Sequence, residues 1–205
     1  AFQLFANYRM ALFFVFSILL GAALQLSNMY GDTYLSSFPK GTLVEKYSTI
    51  IYSISQVSET IFILTIPFFL KRFGIKNVML FALFAWVLRY GFFAYGDTTF
   101  GLPLIVLSCF VYGMAFDFFL ISGSMFVESN TDSSIRSSAQ GLFIMMTNGI
   151  GAYIGTVASS YLIGKYYILP DGQTNWNGAW LLFAGYALVV AVLFMILFRE
   201  KRQAV

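Results

Sequence analysis

Apolar residues run through this chain in long unbroken stretches, separated by short clusters of charge, Gly and Pro. Six such stretches cover approximately 10–34, 46–70, 78–95, 101–127, 133–165 and 176–198. About 20 mainly apolar residues in a helix cross a hydrocarbon core of roughly 30 Å. None of the six alternates with period two, as a membrane-barrel strand does. In lipid a continuous apolar segment satisfies its backbone only as a helix. The pattern therefore predicts an all-α integral membrane protein, one six-transmembrane-helix bundle spanning 1–205. The first stretch is too long, and too polar in its later half, for a signal peptide. The links near 38–45 and 168–175 are short and carry Pro39 or Pro170 with Gly, which leaves no room for a soluble domain.

Composition agrees with the pattern. Apolar residues make up 59% of the 205 and charged ones 10%, against roughly 25% charged in a soluble domain. So little polar material cannot coat a water-facing surface, which excludes a soluble enzyme, a nucleic-acid module and a disordered tail. With no His and a single Cys, imidazole and thiolate clusters are missing and His-based acid–base catalysis is unavailable; no metal centre, cofactor or enzymatic activity is expected. The single Cys109 cannot form an internal disulfide. The chain starts at Ala1 rather than Met, as a processed protein or a piece of a longer one would.

Charge then orients the bundle. Arg9, Lys71, Arg72, Lys76, Arg136, Arg199, Lys201 and Arg202 fall on one side, against Lys40, Lys46 and Lys165 on the other. An excess of Lys and Arg marks cytoplasmic loops, so both termini are predicted to be cytoplasmic. Tyr166, Tyr167, Trp176 and Trp180 suit an outer aromatic belt.

Three charges lie near the middle of a span: Glu59 on the second helix, Arg89 on the third and Asp117 on the fourth. A charge at the bilayer centre costs about 2.5–3.5 kcal/mol on insertion scales, so each is a functional-site candidate. Similar predicted depths would let Arg89 neutralise one carboxylate. The other would then lack a cation, a setting that favours the protonated form and suits proton coupling. A structural Arg89–Asp117 salt bridge is the plainer alternative. Ser48, Tyr52, Ser55 and Glu59 share one helix face, with Gln56 adjacent, and the first helix offers Gly21, Gln25, Asn28 and Asp32. Gln25 with Asn28, and Gln56 with Glu59, are pairs three residues apart, neighbours on a helix surface. Such groups serve as interhelical glue or line a polar cavity. Two pairs beside a mid-membrane carboxylate point to a cavity for an uncharged ligand rich in hydroxyls or amides. Tyr112, Phe116, Phe118 and Phe119 surround Asp117 in sequence and are either packing or a stacking face for a planar ligand. Gly149, Gly151 and Gly155 suit close helix approach or a bend used in transport, and Thr147 and Asn148 are placed to line the same cavity.

The runs LQLSNM (24–29), SISQVSET (53–60), FLKRFGIKNV (69–78), YGMAFDFF (112–119), SAQG (138–141) and MMTNG (145–149) resemble the nucleoside:proton symporter family of the major facilitator superfamily. The similarity runs in order from about Tyr8 to Arg199. It implies the carboxyl-terminal half of a twelve-helix transporter in a bacterial cytoplasmic membrane, its amino-terminal half being absent from the chain. It further implies nucleoside contacts at Gln25, Asn28, Gln56, Glu59, Tyr112 and Phe116. Proton coupling would fall to Asp117, with Arg89 a candidate partner, and the proton gradient would be the energy source. Loop 71–77 is similar to a degenerate form of the superfamily's cytoplasmic motif, without its usual Asp. The expected partners are a nucleoside, a proton, the bilayer and the other half, and no nucleic acid. A proton-coupled sugar transporter and a non-transporting membrane scaffold remain open on the residues alone.

Overall fold

The computed structural model describes residues 2–198; the predicted cytoplasmic charges Arg199, Lys201 and Arg202 lie outside the described residues. A short 3-10 helix (Phe2–Ala6) leads into α1 (Tyr8–Ser36), whose first turn is capped by the Asn7 side chain accepting from the Arg9 N–H at 3.0 Å. A single turn, α2 (Leu43–Lys46), precedes α3 (Ser48–Tyr95). Then come α4 (Leu102–Ser129), α5 (Arg136–Ile144), α6 (Ala152–Tyr166) and α7 (Trp176–Leu197). A π-helical stretch, Met145–Gly151, joins α5 to α6, so that Arg136–Tyr166 is one rod.

Five helical stretches among the described residues are long and apolar enough to cross a membrane. The longest is α3, which holds the second and third predicted helices as two arms, 48–73 and 75–95. The expected seven-residue loop shrinks to one residue, Gly74, at φ 78° and ψ 167°. Polar Lys71, Arg72, Lys76 and Asn77 carry on the helices instead of forming a loop. Asn77 covers the break by donating its Nδ2 to the Phe73 carbonyl at 2.9 Å. The Phe73 and Phe81 rings, 5.2 Å apart across the break, hold the arms together. This backbone conformation is open to glycine and strained for other residues, at about 1–3 kcal/mol. A Cβ at Gly74 would meet nothing within 4 Å, so the cost is conformational alone. Gly74→Ala is therefore expected to lower the melting temperature of the purified protein, whereas Gly164→Ala, equally open and within a regular helix, should not. Equal melting of the two would remove Gly74 as the cause of the break.

The turn before α4 is organised by one side chain. Asp97 Oδ1 accepts from the Thr99 N–H at 2.6 Å, the Thr99 hydroxyl at 2.8 Å and the Gly101 N–H at 2.9 Å. These bonds to its charged form hold the exposed Asp97 carboxyl below the usual carboxylate range. The 167–175 link folds back on itself as an isolated Ile168–Thr174 bridge.

Packing concentrates on three surfaces. Phe13 gathers Phe126 and Phe143 at ring-centroid distances of 4.9 and 5.1 Å, joining α1 to α4 and α5. Trp180 of α7 lies against Phe93 at 5.1 Å and Tyr90 at 5.7 Å. It is fully buried and so belongs to the core rather than to the expected aromatic belt, because α7 packs its indole onto the second arm of α3. Glycines set the closest crossings: a Cβ on Gly113 would come 2.5 Å from Ser58, and one on Gly21 would come 2.0 Å from the Thr147 carbonyl oxygen. Large side chains such as Val57, Leu64, Tyr153 and Val189 stay exposed, as suits surfaces turned to lipid.

Candidate functional site

The residues of α1 and α4 build an open cleft of about 250 Å³, lined by Leu24, Gln25, Asn28, Tyr112, Phe116, Asn148 and Ala152. Gln25 and Asn28 come from the middle of α1, on the face predicted from their spacing. Across from them the Tyr112 and Phe116 rings, one turn apart on α4, stack with centroids 5.7 Å apart and planes 5° off parallel. The Tyr112 hydroxyl donates to Asn28 Oδ1 at 3.4 Å, which ties the two walls together. The π-helical stretch supplies Asn148 as a third amide. The cleft thus pairs an aromatic plate with amides that both donate and accept, a combination suited to a planar, uncharged ligand.

Gln56 and Glu59 do not line this cleft. They sit on the first arm of α3, Gln56 exposed and Glu59 half-buried. Neighbouring residues tie that arm down. Tyr52 donates its hydroxyl to the Ser27 carbonyl of α1 at 3.0 Å, and Ser58 Oγ accepts from the Gly113 N–H of α4 at 2.8 Å. Of the predicted polar face, Ser55 is buried and Ser48 is bound to Ser36, 3.3 Å apart. Asp32 is exposed near the end of α1.

Arg89 does not meet Asp117. Its Nε donates to Ser27 Oγ at 2.9 Å and its Nη1 to the Ser108 carbonyl at 2.8 Å, while the Ser108 hydroxyl donates back to the Arg89 carbonyl at 2.8 Å. The guanidinium lies 4.4 Å from the Tyr112 ring centroid and 5.0 Å from that of Phe93, within the range of cation–π attraction. The expected ion pair fails on depth. Ser108 precedes Asp117 by nine residues on α4, roughly 13 Å of helix rise, so the two charges stand at different levels. Among the described residues neither Glu59 nor Asp117 is ion-paired, the recorded pair being Arg136 with Glu128 at 3.2 Å. Arg89 is instead a fully buried brace that joins α1, α3 and α4 behind Tyr112.

Asp117 is 5% exposed, and its Oδ2 has no hydrogen-bond partner among the described residues. It follows Phe116 by one residue and lies behind the cleft wall rather than in it. Glu59 is closer to it in level than Arg89 is, because neighbouring Ser58 bonds Gly113, one turn before Asp117 on α4.

One sequence expectation changes at the π-helical stretch. Thr147 is buried and donates to the Phe143 carbonyl at 2.9 Å, so it packs under α1 instead of lining the cavity. Asn148, grouped with Thr147 in the sequence, reaches the cleft alone. Ser27 and Ser108, which hold Arg89, carry no signal in the sequence beyond being small polar residues in apolar runs.

A model of the family described as "Nucleoside H+ symporter" matches residues 1–203. The chain is similar to the nucleoside permease NupG of Escherichia coli strain K12, 54% identical over 211 residues, taking in 100% of this chain and 50% of that protein. A xanthosine permease of the same organism is 54% identical over 209 residues, 99% of this chain and 50% of its own length. A crystal structure of the nucleoside transporter NupG superposes with a TM-score of 0.90 at 54% identity, over 98% of this chain and 50% of that one. A NupG variant with one aspartate changed to alanine superposes with a TM-score of 0.92 at the same identity, over 97% and 50%. The chain spans about half the length of the curated relatives it matches.

Proposed function

This chain belongs to the nucleoside H+ symporter family, and on that premise we propose that it forms the carboxyl-terminal half of a twelve-helix, proton-coupled nucleoside uptake transporter that works by alternating access. The observation that carries the reading is the cleft itself. Amides from α1 face a stacked aromatic pair on α4, and the opposite side is open. Transporters of this architecture hold substrate near the membrane midplane between two halves and rock one against the other. The absent amino-terminal half supplies the second wall.

In this mechanism the base lies against Phe116, backed by Tyr112. Gln25 and Asn28, with Gln56 and Glu59 on the neighbouring arm of α3, bond the ribose hydroxyls. Arg89 holds Tyr112 in place from behind and keeps α1 and α4 in register. Asp117 takes a proton from the outer side and gives it up inside. The proton biases the swing because its binding free energy differs between the two states. The gradient supplies the energy and no cofactor is needed. The membrane is the bacterial cytoplasmic membrane, with both ends of this half on the cytoplasmic side, a reading supported by the excess of Lys and Arg in the loops on that side.

The test is uptake of radiolabelled uridine into proteoliposomes by the assembled transporter, with and without an inward proton gradient. Uptake should rise with the gradient and fall when unlabelled nucleosides compete, while hexoses have no effect. Entry of a hexose in place of uridine would overturn the substrate assignment.

A further inference from the structure

We propose that Asn148 is a specificity-determining residue that reads the hydrogen-bonding edge of the nucleobase. This inference rests on the nucleoside reading of the cleft and adds to it a residue on a different helix from the other contacts. Three observations carry it.

Asn148 lies deep in the span. It stands twelve residues beyond Arg136 in the rod Arg136–Tyr166, roughly 18 Å of helix rise. Its side chain is exposed on the cleft side of the rod, and in membrane bundles the usual partner of an amide at that depth is a side chain of a neighbouring helix. Among the described residues Asn148 has no such bond. It lines the cleft instead.

The backbone around it is locked. Gly21 and Gly151 bring α1 and the π-helical stretch into backbone contact, since a Cβ at Gly21 would fall 2.0 Å from the Thr147 oxygen and one at Gly151 would fall 2.5 Å from the Ile18 oxygen. Thr147 and Gly151 therefore face α1, while Asn148 and Ala152, the next residues along, emerge beside it into the cleft. A π turn carries about one residue more than an α turn, a distortion frequent where a helix serves a site.

Asn148 is also better equipped than Asn28. The Tyr112 hydroxyl already engages Asn28 Oδ1, whereas Asn148 offers both an N–H donor and a carbonyl acceptor side by side. That pair matches the adjacent donor and acceptor on the edge of a base such as uracil, and ribose hydroxyls do not need it. With the base plane against Phe116, its edge projects away from the rings toward the remaining walls, where Asn148 stands.

The experiment compares competitors of uridine uptake by the assembled transporter and its Asn148→Leu variant. N3-methyluridine has the uracil edge blocked and 2′,3′-dideoxyuridine lacks the 2′- and 3′-hydroxyls of the ribose. The unmodified protein should prefer uridine over N3-methyluridine by about tenfold, the worth of a hydrogen bond or two in a solvated cleft. Asn148→Leu should bring that ratio close to one while leaving the ratio of uridine to dideoxyuridine unchanged. Asn148→Ala should do the same, which separates the lost bond from any effect of leucine. The proposal is overturned if both ratios stay within twofold of the unmodified values, or if the ribose ratio moves instead. It is also overturned if neither variant reaches the membrane, because Asn148 would then be structural. Failure of the unmodified transporter to take up any nucleoside would defeat the nucleoside reading itself, a result distinct from unchanged ratios in a working transporter.

Discussion

Asp117→Asn in the assembled transporter is expected to abolish gradient-driven accumulation of uridine while exchange of internal for external uridine continues. Among the described residues one oxygen of the buried carboxyl has no hydrogen-bond partner and no cation pairs with it, so it can gain and lose a proton without breaking an ion pair. Asparagine keeps the shape and cannot cycle a proton. An inside-negative potential of 100 mV contributes about 2.3 kcal/mol per elementary charge, equivalent to roughly fiftyfold accumulation per proton at about 1.4 kcal/mol per decade. The variant should lose that factor and equilibrate uridine to equal concentrations on both sides. Exchange is the informative control because it needs substrate binding and the rocking movement, but no net proton flow. If Asp117→Asn still accumulates uridine to the same ratio, the proton travels elsewhere, and Glu59 becomes the group to test. If exchange is lost as well, Asp117 is part of the architecture and its coupling role is unsupported.

Gly21→Val is expected to be the most destabilising single change in this half. The new side chain would place a carbon 2.0 Å from the Thr147 carbonyl oxygen and 2.7 Å from its carbon. Both belong to backbone, which has no rotamer to change. Relief requires α1 to separate from the Met145–Gly151 stretch, and that would undo the matching contacts at Gly151 with Ile18 and at Gly155 with Ala22. Overpacking costs typically 1–3 kcal/mol where side chains can adjust, and here, on the order of 3 kcal/mol or more should be lost. The measurement is thermal unfolding of the detergent-purified protein, set beside Gly185→Ala, where a Cβ meets nothing within 4 Å. Gly185→Ala should melt with the unmodified protein and Gly21→Val well below it. Coincident melting of all three would mean that α1 is not held by this contact. The same displacement would shift Asn148 relative to Gln25 and Asn28, so any Gly21→Val protein that survives should bind substrate weakly.

The membrane class, the helices and most of the chemistry were legible in the residues for simple reasons. A helix in lipid must be long, apolar and self-satisfied, so its presence shows as an uninterrupted apolar run. Polar groups are costly there, so Gln25, Asn28, Gln56, Glu59 and Asp117 stand out from their surroundings. Tyr112 and Phe116 did not, because 24 Phe and 13 Tyr give an aromatic no distinction; their place was implied by resemblance, and the structure brings them into the cleft with Gln25 and Asn28.

The positions of those groups relative to one another were not legible, because the register between helices is set by contacts that leave no periodic trace. Arg89 and Asp117 each lie near the middle of a helix when the helices are counted separately. The pairing of Ser108 with Arg89, and of Gly113 with Ser58, slides α4 against both arms of α3 and puts the two charges at different levels. Gly74 reads as part of a polar loop, yet its positive φ alone makes the break. The π-helical stretch separates Thr147 from Asn148, sending one under α1 and the other into the cleft. Residue chemistry and helix formation follow from local sequence and from lipid, which acts on every segment alike. Which polar groups share a site depends on a few points where missing side chains let backbones touch, and those points exist only once the helices have packed.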